Sequence, residues 1–350
     1  MSEQVKPLFP VGLLLVSLAT TAAGSKMILP EPVSNNAVAF AYGPDGPTLY
    51  SFLGLGAGKG YRDIRRSASA CILRAGRCVA LPDVPIAQGR LAATAAAAGG
   101  RIYLFGGYSV AQDGAEVSHP ETLIFDPLSG HWRSGAPIPV PVDDSVALVY
   151  RDRFVYLVSG WHDDGNVRRV QVYDCAADHW FEATPYPGTP VFGHAGGITR
   201  GKLVIADGVA VLGITPEGHH RYGLVGEAWK GEIDPTNPAR ISWKRLPSHP
   251  GRPAYRMAAA GEGARVLFAG GSENPYNYNG MGYNGKPSDP SARLFAYDLG
   301  AKRWVSYPDK AVASMDHRGL IATGGKLYIV GGMTEGQRVT AKIQVMKAPR

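Results

Sequence analysis

The sequence predicts an all-β fold assembled from six similar units, and three observations carry that prediction. Glycine and proline account for 45 and 27 of the 350 residues, about twice their ordinary usage, which argues for many turns and against long helices. Apolar residues at 45% and charged residues at 19% suffice to bury a core, so wholesale disorder is excluded. Finally, one pattern recurs along the chain: an apolar strand, a pair of small residues, a strand ending in Tyr or Phe then Asp, and a Trp ahead of a Pro.

The units follow in order. The first places strand 48–53 before Gly54, and the second runs from 101–105 through Gly106 and Gly107 to 123–126, Trp132 and Pro137. The third has 154–158, Ser159 and Gly160, 172–174, Trp180 and Pro185; the fourth has 202–206, Asp207 and Gly208, and Trp243. The fifth has 266–269, Gly270 and Gly271, 294–298 and Trp304, and the sixth has 327–330 before Gly331 and Gly332. From Gly107 to Gly332 the second small residue returns roughly every 50 to 60 residues, the spacing of a repeated four-stranded unit. Each unit closes on a Pro-rich outer strand, as at Leu81-Pro82, Pro137 with Pro139, Pro185 with Pro187, and Leu246-Pro247. The sixth ends at 341–346 without one, whereas Leu29-Pro30 and Pro32 stand ahead of the first unit. The N-terminus is therefore expected to supply the missing outer strand and remove an open edge.

These motifs resemble the kelch family. The resemblance implies a six-bladed β-propeller in which the double Gly permits close packing, the Trp fills space between neighbouring sheets, and an N-terminal outer strand closes the ring. It covers one domain, residues 27–350. Ahead of it, 11–19 is apolar and Thr21, Ala22, Ala23 and Gly24 are small, so residues 1–24 read as a secretory signal peptide, too short to span a bilayer. The expected location is periplasmic or secreted, with no membrane span in the mature form. Cys71 and Cys78 face each other across a hairpin turning at Arg74, Ala75 and Gly76, a disulfide that an oxidising compartment would favour; Cys175 is left unpaired.

The formal charge of +7 suits an anionic partner, but Lys and Arg are scattered in sequence with no dense run interleaved with aromatics, so nucleic acid is not expected. At the mouth of the ring, counting back from each small pair gives Asn36, Arg90, Asp144, His194, Tyr255 with Arg256, and His317 with Arg318. Arg90, Arg256 and Arg318 converging on one cavity would hold a carboxylate through forked hydrogen bonds. Two long loops join them. One, 272–291, carries Glu273, Tyr276, Asn277 and further Tyr and Asn residues suited to a sugar ring; the other, 209–226, carries Glu217, His219, His220 and Arg221. Trp161, followed by His162 and Asp163, forms one wall.

Among exported kelch proteins, the segments Leu29-Pro30-Glu31-Pro32, Asn35-Asn36-Ala37-Val38-Ala39, Gly54-Leu55-Gly56 and Leu267-Phe268-Ala269-Gly270-Gly271 resemble the sialic acid mutarotases. That resemblance implies a periplasmic isomerase that interconverts the anomers of N-acetylneuraminate or a related sugar acid by acid/base catalysis, with no metal or other cofactor. The family's catalytic Glu lies just after the fourth blade's second strand, with an Arg beyond it. Here that site reads Asp207-Gly208-Val209-Ala210, which leaves Glu217 and Arg221 in the same loop, with His194, as the catalytic set. Asn36, Arg90, Asp144, Trp161, Arg256, Glu273, Tyr276, Asn277, His317 and Arg318 are the expected substrate-binding set. The alternative is a non-catalytic propeller that binds a glycan or an envelope protein through the same face. A copper oxidase of the galactose oxidase kind is disfavoured, because the three cysteines lie away from any Tyr and His cluster.

Overall fold

The computed structural model describes Met1 and residues 27–349; the 11–19 and 21–24 segments read as an export signal lie outside the described residues. The described residues form a six-bladed β-propeller. Five blades are four-stranded antiparallel sheets and the sixth has three strands. Blade one comprises Ala37–Gly43, Gly46–Leu55, Ile64–Ile72 and Arg77–Leu81. Blade two comprises Thr94–Ala98, Arg101–Phe105, Thr122–Phe125 and Trp132–Gly135, and blade three Val146–Tyr150, Phe154–Val158, Val170–Asp174 and His179–Ala183. Blade four comprises Ala195–Thr199, Lys202–Ala206, Ala228–Ile233 and Ile241–Arg245, and blade five Ala258–Glu262, Arg265–Ala269, Leu294–Asp298 and Arg303–Ser306. Blade six contains Ile321–Thr323, Lys326–Val330 and Ile343–Lys347. No helix of the described residues is long and apolar enough to cross a membrane.

Ring closure uses the N-terminus, in a shorter form than a full strand. Ile28 bridges Lys342 antiparallel, and the Leu29 N–H donates to the Ala341 carbonyl at 2.8 Å. Pro30 and Pro32 lack the N–H groups that further pairing in this direction would need.

Cohesion between blades follows from the repeat. The Trp180 indole packs on Phe105 and Tyr173 with centroids 5.6 and 5.0 Å away, and its Nε1–H donates to the Ala136 carbonyl of the preceding blade at 2.8 Å. Trp243 reaches the Thr184 carbonyl and Trp304 the Pro247 carbonyl in the same way. Each Trp thus contributes both buried aromatic area and a satisfied donor to one blade junction.

The small pair explains itself sterically. In all six blades the second member is Gly at positive φ, and a Cβ there would collide with the segment leading into the same blade: 2.4 Å from Ser34 O at Gly54, 2.6 Å from Leu91 O at Gly107, and 2.7 Å from Asp143 O at Gly160. The first member varies: where it is Gly, a Cβ would meet the segment leading into the next blade, 2.1 Å from Val142 O at Gly106 and 2.4 Å from Ser314 O at Gly270, and where it carries a polar side chain that side chain binds the next blade. Ser159 Oγ donates to the Val191 carbonyl at 2.8 Å, and Asp207 accepts from the Ala254 N–H at 2.8 Å and from His249 Nε2. Cys71 and Cys78 are directly opposed in register and joined by a disulfide. Cys175 is a free thiol, its pKa pushed up to about 12 by burial.

Candidate functional site

The site is positioned by a hoop of six residues in the left-handed region, one per blade, immediately ahead of the inner strands: Asn35, Ala92, Asp144, Gly193, Arg256 and Asp316, with φ between 50° and 66°. Their backbones link blade to blade. The Asp144 N–H donates to Ala92 O at 3.0 Å, Gly193 to Asp144 O at 2.8 Å, Arg256 to Gly193 O at 2.7 Å, and Asn35 to Asp316 O at 3.0 Å. The Ala92 N–H is taken by Asn35 Oδ1 at 2.6 Å, and between blades five and six the donor is His317 N–H, to Arg256 O at 3.3 Å. The equivalent positions therefore differ from those expected. Asp144 and Arg256 belong to the hoop, but Asn36, His194 and His317 stand one residue after it, Arg318 two after it and Arg90 two before it; Arg318 still reaches Asp144, while the other side chains point elsewhere.

Across the hoop runs a buried ionic cluster. Arg256 donates from Nε and Nη2 to the two oxygens of Asp144 at 3.1 and 2.5 Å and from Nη1 to Asp316 Oδ1 at 2.9 Å. Arg318 Nη1 also bonds Asp144, and Asn35 Nδ2 donates to Asp316 at 3.0 Å. Tyr255 and Tyr276 lie against the Arg256 guanidinium, ring centroids 4.7 and 5.4 Å away. Burial pushes the Asp144 pKa up, but the two guanidinium groups outweigh it and hold the carboxylate below its ordinary range. The neighbouring Asp143 goes the other way. Burial first, and then the Asp144 charge, raise it well above the ordinary range, while Ser118 Oγ donates to its Oδ2 at 2.7 Å. Two adjacent carboxyls are thus pushed in opposite directions by their surroundings.

Above the cluster opens a mouth of about 340 Å³ with Asp143, Asp144 and Arg256 on its lining. Trp161, Phe192, Tyr222 and Tyr283 supply aromatic walls; Tyr222 and Tyr283 meet at 4.2 Å between centroids, and Trp161 meets Phe192 at 5.2 Å. Glu116, Asp163 and Asp164 add carboxylates from the hairpins of blades two and three. Glu116 remains exposed on its hairpin, and desolvation in the concave mouth raises its pKa.

Of the expected residues, Asp144, Trp161, Arg256 and Asn277 line this mouth. Tyr276 is fully buried behind it, against Tyr255. Glu273 pairs with Arg252 at 3.5 Å and is exposed outside it. Arg90 is taken up by Glu121 at 2.8 Å and the Gly106 carbonyl; Asn36 ties blade one to blade six through Ser51 Oγ and the Val330 carbonyl.

His194, His317 and Arg318 line a second cavity, of about 300 Å³, between the inner strands on the far side of the cluster. Burial lowers the His194 pKa to about 4 and that of His317 to about 3, so both are neutral and neither meets the mouth. Glu217 and Arg221 are also outside. The segment Val209–Ile214 pairs with His220–Leu224 as a hairpin; Glu217 is at its exposed tip. Strand alternation turns His220 and Tyr222 into the mouth and Arg221 away from it, onto the Leu212 carbonyl. The loop does not fold back, which removes Glu217, Arg221 and His194 from the acid/base positions expected of them. Asp207, at the family's catalytic position, is bound to His249 between blades four and five.

Sequence reasoning missed Glu116, Asp143, Asp164 and Tyr222. The signal available for Asp143 was its place just before the hoop residue; for the others it was alternation along short hairpins hidden in loops. Among the described residues no three His, Cys, Asp or Glu side chains are grouped to hold a metal ion.

Comparisons with known proteins agree with this architecture. Residues 89–139 match the Kelch motif. The chain is similar to Kelch-like protein 15 of Homo sapiens, 29% identical over 108 residues, covering 31% of this chain and 18% of that protein. It is likewise similar to Kelch-like protein 15 of Gallus gallus, 30% identical over the same length and 22% of that protein. It thus spans about a fifth of the length of these relatives. The solved structure of YjhT superimposes with a TM-score of 0.71 at 16% identity, over 91% of this chain and 99% of that one. The chain carries a Kelch motif within a six-bladed β-propeller.

Proposed function

We propose that the protein is a propeller that binds an uncharged or amine-bearing sugar in its acidic, aromatic mouth. The observation that carries this reading is the pairing of every expected arginine: Arg90 with Glu121, Arg256 with Asp144 and Asp316, and Arg318 with Asp144. A guanidinium whose charge is already offset by a carboxylate is a poor anchor for a ligand carboxylate. Glu116, Asp163 and Asp164 at the rim repel an anion further. The sugar-acid ligand implied by the mutarotase resemblance is therefore the less supported one, whereas aromatic walls with carboxylate acceptors suit hydroxyl and ammonium groups.

A second reading, isomerisation at the anomeric carbon, draws on Asp143, whose pKa burial raises toward that of a general acid. Asp143 would give its proton to the ring oxygen as the C1–O bond breaks, and Glu116 would take the anomeric hydroxyl proton as the carbonyl forms. Reclosure on the other face reverses both transfers. The Cys71–Cys78 disulfide supports placing the protein in an oxidising compartment outside the cytosol.

The test is ligand-observed NMR with glucosamine, glucose and glucuronate, one ring in three charge states. Binding is expected to fall in that order, and Glu116→Gln should narrow the gap between the first two. Preferential binding of glucuronate or N-acetylneuraminate would overturn the reading. Faster anomer exchange in the wild type, lost in Asp143→Asn with binding kept, would add the isomerase activity.

A further inference from the structure

Lysines far apart in sequence converge on the outer flank of the ring between blades four and five. Lys202 opens the second strand of blade four, Lys230 lies in its third and Lys244 in its outer strand, and Lys302 sits in the turn before blade five's outer strand. All four line one groove between blades four and five, of about 580 Å³, floored by Leu246 and Tyr297.

Register shows how tightly the charges are held. Lys230 and Lys244 are direct cross-strand partners, and Lys202 is paired with Glu232. Glu232 serves two lysines, at 3.4 Å from Lys230 and 3.8 Å from Lys202. Among the described residues Lys244 and Lys302 have no carboxylate partner at ion-pair distance. Arg245, next to Lys244, also borders the groove and lies 3.9 Å from Glu227. Like charges directly opposite in a sheet are destabilising, so the arrangement is one that an anion would relieve. The groove has the volume of a small-ligand site. Compact ammonium groups suit phosphate or sulfate oxygens without demanding a planar fork. Tyr297 is buried and offers no stacking platform of the kind single-stranded nucleic acid uses.

We propose that this groove binds a multiply charged oxyanion, a ligand carrying two or more phosphate or sulfate groups. It acts independently of the mouth. The test is calorimetric titration of the full chain with inorganic tripolyphosphate and, separately, with a sulfated disaccharide, each at low and moderate salt. Binding of either is expected, weakening with salt and falling about tenfold or more in K230Q/K244Q, as loss of two close charge contacts implies. The arm that binds identifies the source of the oxyanion. The double variant K326Q/K347Q removes the same charge from blade six and should leave the affinity within about twofold. Absence of binding in both arms, equal losses in the two double variants, or tighter binding of single-stranded DNA than of either probe would overturn the proposal.

Discussion

The mouth at the ring's centre and the basic groove between the outer parts of blades four and five solve the problem of concentrated charge in opposite ways. Around the mouth, carboxylates come from the ends of hairpins, and the deepest of them, Asp144, is neutralised by two arginines inside the protein. In the groove, three lysines come from regular strand positions and one from a turn, and only Lys202 and Lys230 share a carboxylate. The first arrangement is fixed by desolvated groups paired with one another; the second is left open to solvent and to an incoming ligand. A net charge of +7 describes neither region.

The comparison breaks most sharply if the cluster is opened. Arg256→Ala leaves the buried Asp144 with Arg318 as its one remaining cation and Asp316 with only the Asn35 amide, and should cost about 3–5 kcal/mol, read as a lowered urea midpoint, while oxyanion binding by the surviving folded fraction persists. Next in size is the blade junction. Trp180→Ala removes a buried indole and should cost about 3–5 kcal/mol less any relaxation of the site; a change below about 1 kcal/mol in the same assay would contradict the role given to the repeated Trp.

Acid acts on the cavity beneath the mouth. His194 and His317 have folded pKa values of about 4 and 3, depressed from about 6.5 in the unfolded chain. The unfolded state therefore binds more protons, and the stability they contribute is complete above about pH 6.5 and is lost as the pH falls toward 4. Urea midpoints measured from pH 7.5 down to 4.5 should decline, and His194→Gln should flatten that decline. A pH-independent midpoint would mean that neither imidazole is desolvated. The smallest effect belongs to the groove: Lys244→Glu turns a like-charge pair into an opposite one and should stabilise the fold by roughly 0.2–1 kcal/mol, with the oxyanion affinity lost.

The repeat made the fold legible because its constraints are local and steric. Gly at the second small position is required by a backbone contact inside the same blade, and Trp with Pro marks each junction, so both survive as sequence pattern. The site was legible only in part. Asp144 and Arg256 were found because the hoop recurs in every blade, but a shift of one residue sends His194 and His317 into a different cavity, and counting between blades of unequal loop length cannot resolve one residue. Glu217 looked close to the mouth in sequence; an ordinary hairpin carries it to an exposed tip instead. The lysine groove was invisible, because Lys202, Lys230 and Lys244 meet through the register of blade four and Lys302 joins them only through the packing of blade five beside it.

The hoop around the channel is built almost wholly from peptide groups, so it imposes a backbone conformation without specifying which side chain must be displayed. Ala92 and Gly193 occupy the same stations as Asp144 and Arg256. A ring of this kind is an addressable socket: Asn or Asp installed at Ala92, both tolerant of the left-handed conformation, would place new chemistry beside Asp144 without redrawing the scaffold that holds it.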